Sequence, residues 1–285
     1  LTGDSDDIIN IHSLGEGFGT LLNINGEGGD DTLNVDFSSG TILTDITFNG
    51  GSQSGSGSGD SMNLAGGSFF ETTYNFDNAN DGSVVLDGQT INYTGLEPIT
   101  ASITATDVTL NYSGVTETIT VTDGGSGTTT VDSTAGEVVT FLNPTNSLTI
   151  NAGDGDDSIV VQTLSSTFGA SILLNGQQGS DDIRVWGGIT ADLTIDGGEG
   201  DDTVNNSGHI SWIYGGDGND IINNRPVASV AYDIQGGSGR DTIRNDFVVY
   251  GTIQGNGGAD TITNIVQVDN GIQGNSGDDT IINRG

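Results

Sequence analysis

The stretch GGEGDDTVNNSGHISWIYGGDGNDIINN, residues 197–224, decides the fold. It holds one pattern twice: a glycine-rich turn, an aspartate, then a short aliphatic strand. The two aspartates, Asp202 and Asp220, stand 18 residues apart. Downstream the pattern returns as GGSGRDTI (236–243), GNGGADTI (255–262) and GNSGDDTI (274–281). Upstream it returns more loosely as GQQGSDDI (176–183), AGDGDDSI (152–159), GEGGDDTL (26–33) and TGDSDDII (2–9). The sixth position of each copy is an anchor: Asp7, Asp31, Asp157, Asp181, Asp202, Asp220, Asp241, Asp260 and Asp279. Neighbouring spacings are 24, 126, 24, 21, 18, 21, 19 and 19. Apart from one jump, the period is about 20, the length of a solenoid repeat.

Two aliphatic positions keep phase with the anchor. Two residues after it stand Ile9, Leu33, Ile159, Ile183, Val204, Ile222, Ile243, Ile262 and Ile281. Seven residues before it stand Ile24, Ile150, Leu174, Ile195, Ile213, Ile234, Ile253 and Ile272. A unit of about 20 residues with two short strands cannot bury its own apolar face, whereas stacked units share one continuous core. The expected fold is therefore all-β: a parallel β-solenoid (β-helix or β-roll) with coils of about 18–25 residues, one rung each, about 4.8 Å apart. Four residues past the anchor, Ile11, Val35, Val161 and Val185 give way to Asn206, Asn224, Asn245, Asn264 and Asn283. Strand side chains alternate, so these asparagines point inward with the isoleucines. The expectation is an inward asparagine ladder in thinner C-terminal coils.

Composition agrees. Ile plus Val number 47 against 16 Leu, and β-branched residues favour strands. Leu, Ile, Val and Phe together are 72 of 285 residues, above the roughly 20% below which acidic chains stay disordered. The net charge is -34, from 39 acids against 5 bases, all arginine. That excludes nucleic acid as a partner, since its recognition needs clustered positive charge. No apolar run approaches the roughly 18 residues of a membrane span, so membrane insertion is not expected. The chain has no cysteine, which removes disulfides, thiolate metal sites and thiol catalysis.

The glycine- and aspartate-rich turns resemble the calcium repeat of the repeats-in-toxin family, GGxGxDx followed by a large aliphatic residue. The matches cover residues 1–35 and 150–285. The resemblance implies a parallel β-roll whose glycine loops bind calcium. The sequence departs from the family pattern in carrying one loop per coil of about 20, which places any calcium in one row along one edge. Stretches such as INYTGLEPI beside loose repeats look like segments of very large bacterial surface proteins. The chemistry points the same way. Anchor aspartates in adjacent coils would stand about 4.8 Å apart and repel by about 3–4 kcal/mol at an effective dielectric of 20. Many loops carry a second acid: Asp6, Asp30, Asp156, Asp201 and Asp278. Carboxylate and carbonyl oxygens together suit calcium, and the nine anchors are the expected ligands. Glycine and aspartate are also ordinary turn formers, so a purely structural reading of the same loops stands beside this one.

The domain reading is residues 1–35 as N-terminal coils, 36–149 as an irregular long-coil region continuing the solenoid, and 150–285 as regular coils. An inserted β-sandwich is the alternative for the middle region. The 126-residue jump would fit five coils of about 25. Within it DSMNL (60–64) echoes DDTLN, VVLDGQTINY (84–93) reads as a loop-and-strand pair, and VTDGGSGTTTV (121–131) places Thr129 where an anchor belongs. The SGSGSG run reads as a flexible loop tip.

Parallel solenoids include carbohydrate-active enzymes, whose sites combine acids with basic or aromatic groups on one face. Here His12 and His209 have no phased partner, Arg184 beside Trp186 and Arg240 and Arg244 beside Asp241 read as local ion pairs, and no nucleophile or phosphate-loop motif occurs. The expectation is a non-catalytic, extracellular or cell-surface structural protein, a calcium-stabilised segment of a bacterial adhesin, sheath or fibre. A solenoid domain of a lyase or epimerase and a ligand-binding adhesin module are the alternatives. Expected partners are calcium ions, further copies stacked end to end, and cell-surface or matrix polysaccharide.

Overall fold

The computed structural model describes residues 5–12, 21–40, 42, 44–52, 59–226 and 229–285. They form 27 strands and no helix. The fold is all-β, and its dominant pairing is parallel and coil to coil, that of a β-solenoid. The chain divides into two compact units, residues 1–113 with 123–147, and residues 114–122 with 148–285. Residues 54–58 of the SGSGSG run lie outside the described residues.

In the second unit, identical loop phases force identical registers. The strand after each anchor pairs in parallel with its counterpart one coil on, so Ile119, Ile159, Ile183, Val204, Ile222, Ile243, Ile262 and Ile281 form one column. The strand before each loop stacks the same way, joining Leu174, Ile195, Ile213, Ile234, Ile253 and Ile272. Val204, Ile222, Ile243 and Ile262 are fully buried. Each such side chain contributes about 1.5–3 kcal/mol by leaving water. A slip of one residue would turn a whole column outward, which is why the register is strict.

A third inward column was not expected. His209–Ile210 pairs with Ser229–Val230, and single bridges continue it from Val230 to Val249 and Val268. Ile210, Val230 and Val249 are fully buried. The coil therefore has three sides where the two-ladder reading has two. One or two paired residues per coil are too few to produce a visible alternation.

The asparagine ladder is present. Nδ2 of Asn206 donates to Oδ1 of Asn224 at 2.9 Å, and the chain continues through Asn245, Asn264 and Asn283 at 2.7 Å per step. Oδ1 of Asn206 also accepts from the Gly208 N–H at 2.8 Å, closing the adjacent turn. Asn206, Asn224, Asn245 and Asn264 are buried. A buried amide is tolerated because each copy satisfies its neighbour.

The first unit keeps parallel columns but lengthens the coils. Ile9, Leu33, Met62, Ile99 and Val139 are in register, as are Ile24, Phe48 and Tyr93. The column advances 29 residues from Leu33 to Met62, 37 to Ile99 and 40 to Val139, so the region does not divide into five coils of about 25. The added chain forms antiparallel hairpins. Asp60–Phe76 pairs with Gly82–Leu86, and Gly82–Leu86 with Gln89–Thr94. Asp87 and Gly88, at φ 49° and 91°, make the two-residue turn between the last pair, the conformation that suits the twist of a hairpin. Longer coils enclose more volume, and aromatic rings fill it: Phe76 stacks on Tyr112 at 4.7 Å and Tyr74 on Phe141 at 6.0 Å.

Candidate cation site along the aspartate edge

The loops follow GGxGxD, fully at 197–202, 215–220 and 236–241 and with substitutions elsewhere, and their backbone explains the glycines. The second position is left-handed at Gly198, Gly216 and Gly237, and equally at Glu27, Gln177, Asn256 and Asn275, with φ between 71° and 119°. The side chains, at φ of 71–76°, bear moderate strain, whereas a methyl on Gly198, Gly216 or Gly237, at 108–119°, would overlap backbone one coil back. The fourth position is closed throughout. Gly179, Gly200, Gly218, Gly239, Gly258 and Gly277 have φ between 123° and 140°, and a methyl on any of them would overlap the carbonyl of the fourth-position glycine one coil back. This column admits glycine alone. The first position is closed for another reason: a methyl on Gly176, Gly197, Gly215 or Gly236 would overlap Oδ2 of the anchor in its own loop.

The anchors form a hydrogen-bonded row. In the second unit the N–H of Asp157 donates to Oδ1 of Asp181, Asp181 to Asp202, Asp202 to Asp220, Asp220 to Asp241, Asp241 to Asp260 and Asp260 to Asp279, all between 2.8 and 3.0 Å. In the first unit Asp7 donates to Asp31 at 2.8 Å, and Asp31 to Asp60 at 2.7 Å. The fifth loop position runs the opposite way. There the N–H of the later coil donates to the side chain of the earlier one, Asp30 to Asp6, Ser180 to Asp156, Asn219 to Asp201 and Arg240 to Asn219. Carboxylates thus accept N–H groups at the loop, where regular sheet pairing ends.

Asp31, Asp157, Asp181, Asp202, Asp220, Asp241 and Asp260 are at most 2% exposed; Asp7 and Asp279 are half-buried. Two further residues occupy anchor positions. Asp60 is fully buried in register with Asp31, a place signalled by the DSMNL echo. Glu117 precedes the strand paired with Ser158–Val161, and its N–H donates to Oδ1 of Asp157 at 2.8 Å. Thr129 does not hold the anchor place expected for it. It lies in a strand antiparallel to Val139–Leu142, and its hydroxyl donates to Oδ1 of Asn143 at 2.8 Å.

The second oxygen of each buried anchor carries the chemical question. Oδ2 of Asp31, Asp60, Asp157, Asp181, Asp202, Asp220, Asp241 and Asp260 is buried without a hydrogen-bond partner. Burial disfavours the charged form, which pushes these acids upward, to about 7 for Asp202 and about 6 for Asp157, Asp181, Asp220 and Asp241. The backbone N–H from the preceding coil opposes this, and neighbouring aspartates reinforce it. The oxygens available along this edge, carboxylate and peptide carbonyl, are the donor class of a hard cation. Among the described residues no three acidic or histidine side chains converge as a cluster. A cation here would draw on one anchor oxygen per coil and take its remaining ligands from the backbone.

The residues weighed for catalysis are dispersed. His12 lies 3.4 Å from Asp36, and His209 is exposed in its two-residue strand. Arg184 pairs with Asp182, and Arg244 with Asp246 at 2.8 Å. Asp241 belongs instead to the buried row, which corrects the pairing expected for it with Arg244. Comparison with family models, curated proteins and solved structures finds no match.

Proposed function

We propose that the chain is a non-catalytic structural segment of an extracellular surface protein, of the adhesin, sheath or fibre type, whose coils are stabilised by calcium along the aspartate edge. One observation carries this reading: eight buried anchor oxygens without partners, repeated in register beside glycine loops. A protein that left them so would bear a desolvation cost at every coil. A divalent cation offsets that cost and removes the repulsion between stacked carboxylates. Asp31, Asp157, Asp181, Asp202, Asp220, Asp241 and Asp260 would hold it, with Asp7 and Asp279 at half-buried positions. The resemblance to the repeats-in-toxin family rests on the same loops and belongs to this proposal. Thermal melting in millimolar calcium and in chelator tests it. The expected result is a higher melting point with calcium, by the linkage of binding to folding. An unchanged melting point overturns the calcium assignment and leaves the hydrogen-bonded row as the whole role of the anchors.

A further inference from the structure

The arginines of this acidic chain are not scattered. Arg184, Asn205, Asn223 and Arg244 follow one another in an outward column of the second unit. The next outward column, two residues along each strand, holds Trp186, Ser207, Arg225, Asp246, Ile265 and Arg284, joined coil to coil through the N–H groups that follow the strands. Four of the five arginines therefore share one sheet face. The acids standing beside them, Asp182 and Asp246, are engaged by Arg184 and Arg244. Arg225 and Arg284 make no ion pair among the described residues, so this face is locally positive in a chain of net charge -34.

At one end of the strip lies a cleft of about 420 Å³ lined by Arg184, Val185, Trp186, Asn205, Ser207 and Arg225. The Trp186 side chain is half exposed (51%) and stacks on no other aromatic ring among the described residues. Arg225 Nη2 donates to Oδ1 of Asn205 at 2.6 Å, which orients the guanidinium and leaves its other N–H groups free. The cleft combines a flat apolar surface, an oriented fork for a carboxylate, and small hydroxyl and amide groups.

We infer that this cleft binds a carboxylated sugar unit of an acidic oligosaccharide, with the ring on Trp186 and the carboxylate on Arg225. The inference goes beyond the cation reading and does not depend on it. The acidic loop edge of a second copy is the less suitable occupant. Most of its anchors are buried, and Asp6, Asp156 and Asp201 already accept backbone N–H groups. A sugar carboxylate carries no such prior engagement.

Calorimetric titration of the folded chain with trigalacturonate, at fixed calcium, tests this, with the methyl-esterified trimer as the uncharged counterpart. Expected is saturable binding of the acid, at least tenfold weaker for the ester, for Arg225→Gln and for Trp186→Ala. Arg240→Gln, at the loop edge, should bind as the parent does. In a Trp212→Phe background Trp186 is the remaining indole, and its emission should change on binding. Far-UV spectra establish that each variant is folded. Absence of binding at millimolar sugar, equal affinity for acid and ester, or unaltered binding by Arg225→Gln overturns the inference. So does sedimentation showing that Arg225→Gln dissolves a dimer while sugar does not bind, which would assign the face to a second copy. Calcium-independent melting would overturn the cation reading alone.

Discussion

The backbone N–H of Asp202 donates to Oδ1 of Asp220, 2.8 Å away and 18 residues later, while Oδ2 of Asp220 is buried without a partner. One carboxylate thus serves two roles through two oxygens. Oδ1 ties a coil to the one before it. Oδ2 is the atom that a proton or a cation must satisfy.

Asparagine and alanine at this position separate the two roles. Asp220→Ala removes the acceptor for the Asp202 N–H and should cost about 1–3 kcal/mol, the penalty of an unpaired buried group. Asp220→Asn keeps Oδ1, so its melting point in chelator should fall little or rise. Both should reduce the gain in melting point produced by calcium, whereas Thr280→Ala, at an exposed strand position, should alter neither. Equal behaviour of all three variants would show that the anchors act only as solvated turn residues.

Stability without a cation should fall as pH rises. The folded anchors hold protons up to about pH 6–7, whereas the unfolded carboxylates release them near 4. The folded state therefore binds more protons across that window, and stability is lost as pH climbs through it. Exposed acids lowered by hydrogen bonds, such as Asp107 beside Ser147 and Asn146, act in the opposite sense at lower pH. Melting in chelator should be higher at pH 5 than at pH 8, and Asp202→Asn with Asp220→Asn should flatten the profile. Calcium should reverse it, because deprotonated anchors bind the ion. A profile that rises with pH in chelator would contradict the buried-row geometry.

Glu137 repeats this logic in the first unit. It is fully buried, neither carboxylate oxygen has a partner, and burial together with Glu97 and Asp81 pushes it up to about 9. Glu137→Gln removes the titrating group in nearly the same shape. It should stabilise the chain at pH 8 by on the order of 1–3 kcal/mol and do little at pH 4, where the unfolded chain also holds the proton. Chemical denaturation at the two pH values measures the difference, and a destabilised variant at pH 8 would mean that the native carboxylate is charged.

The two left-handed loop positions should differ in tolerance. Gly239→Ala sets a methyl against the Gly218 carbonyl at φ 123° and should cost several kcal/mol or unfold adjacent coils. Asn256→Ala, at a second loop position that already carries a side chain at φ 75°, should cost less. Comparable melting points for the two would refute the stacked glycine column.

Asn245→Ala should leave Nδ2 of Asn224 and Oδ1 of Asn264 unpaired in a buried column, at a cost of about 2–4 kcal/mol. The effect on exchange protection should centre on the coils of residues 221–264. Uniform loss of protection throughout the chain, or none, would show that the ladder does not couple neighbouring coils.

Much of this was legible in the chain itself, because repetition makes it so. When Asp202, Asp220 and Asp241 recur with Val204, Ile222 and Ile243 two residues on, stacking in register is the arrangement that buries every aliphatic residue together. The same phase revealed the Asn206–Asn283 ladder, since alternation along a strand fixes which residues face inward. Three features needed the tertiary structure. The Ile210–Val230–Val249 column has too few residues per coil to show a period. Glu117 takes an anchor place in a long coil, where hairpins between rungs erase the spacing that marked the other anchors, and only the DSMNL echo hinted at the same role for Asp60. Arg184 and Arg225 are 41 residues apart in the chain and share a cleft, because coils of 21 and 18 residues bring them to neighbouring columns. Periodic spacing encodes contacts between equivalent positions. Contacts between inequivalent positions depend on how much chain each coil spends on its turns, and that is decided when the coils pack.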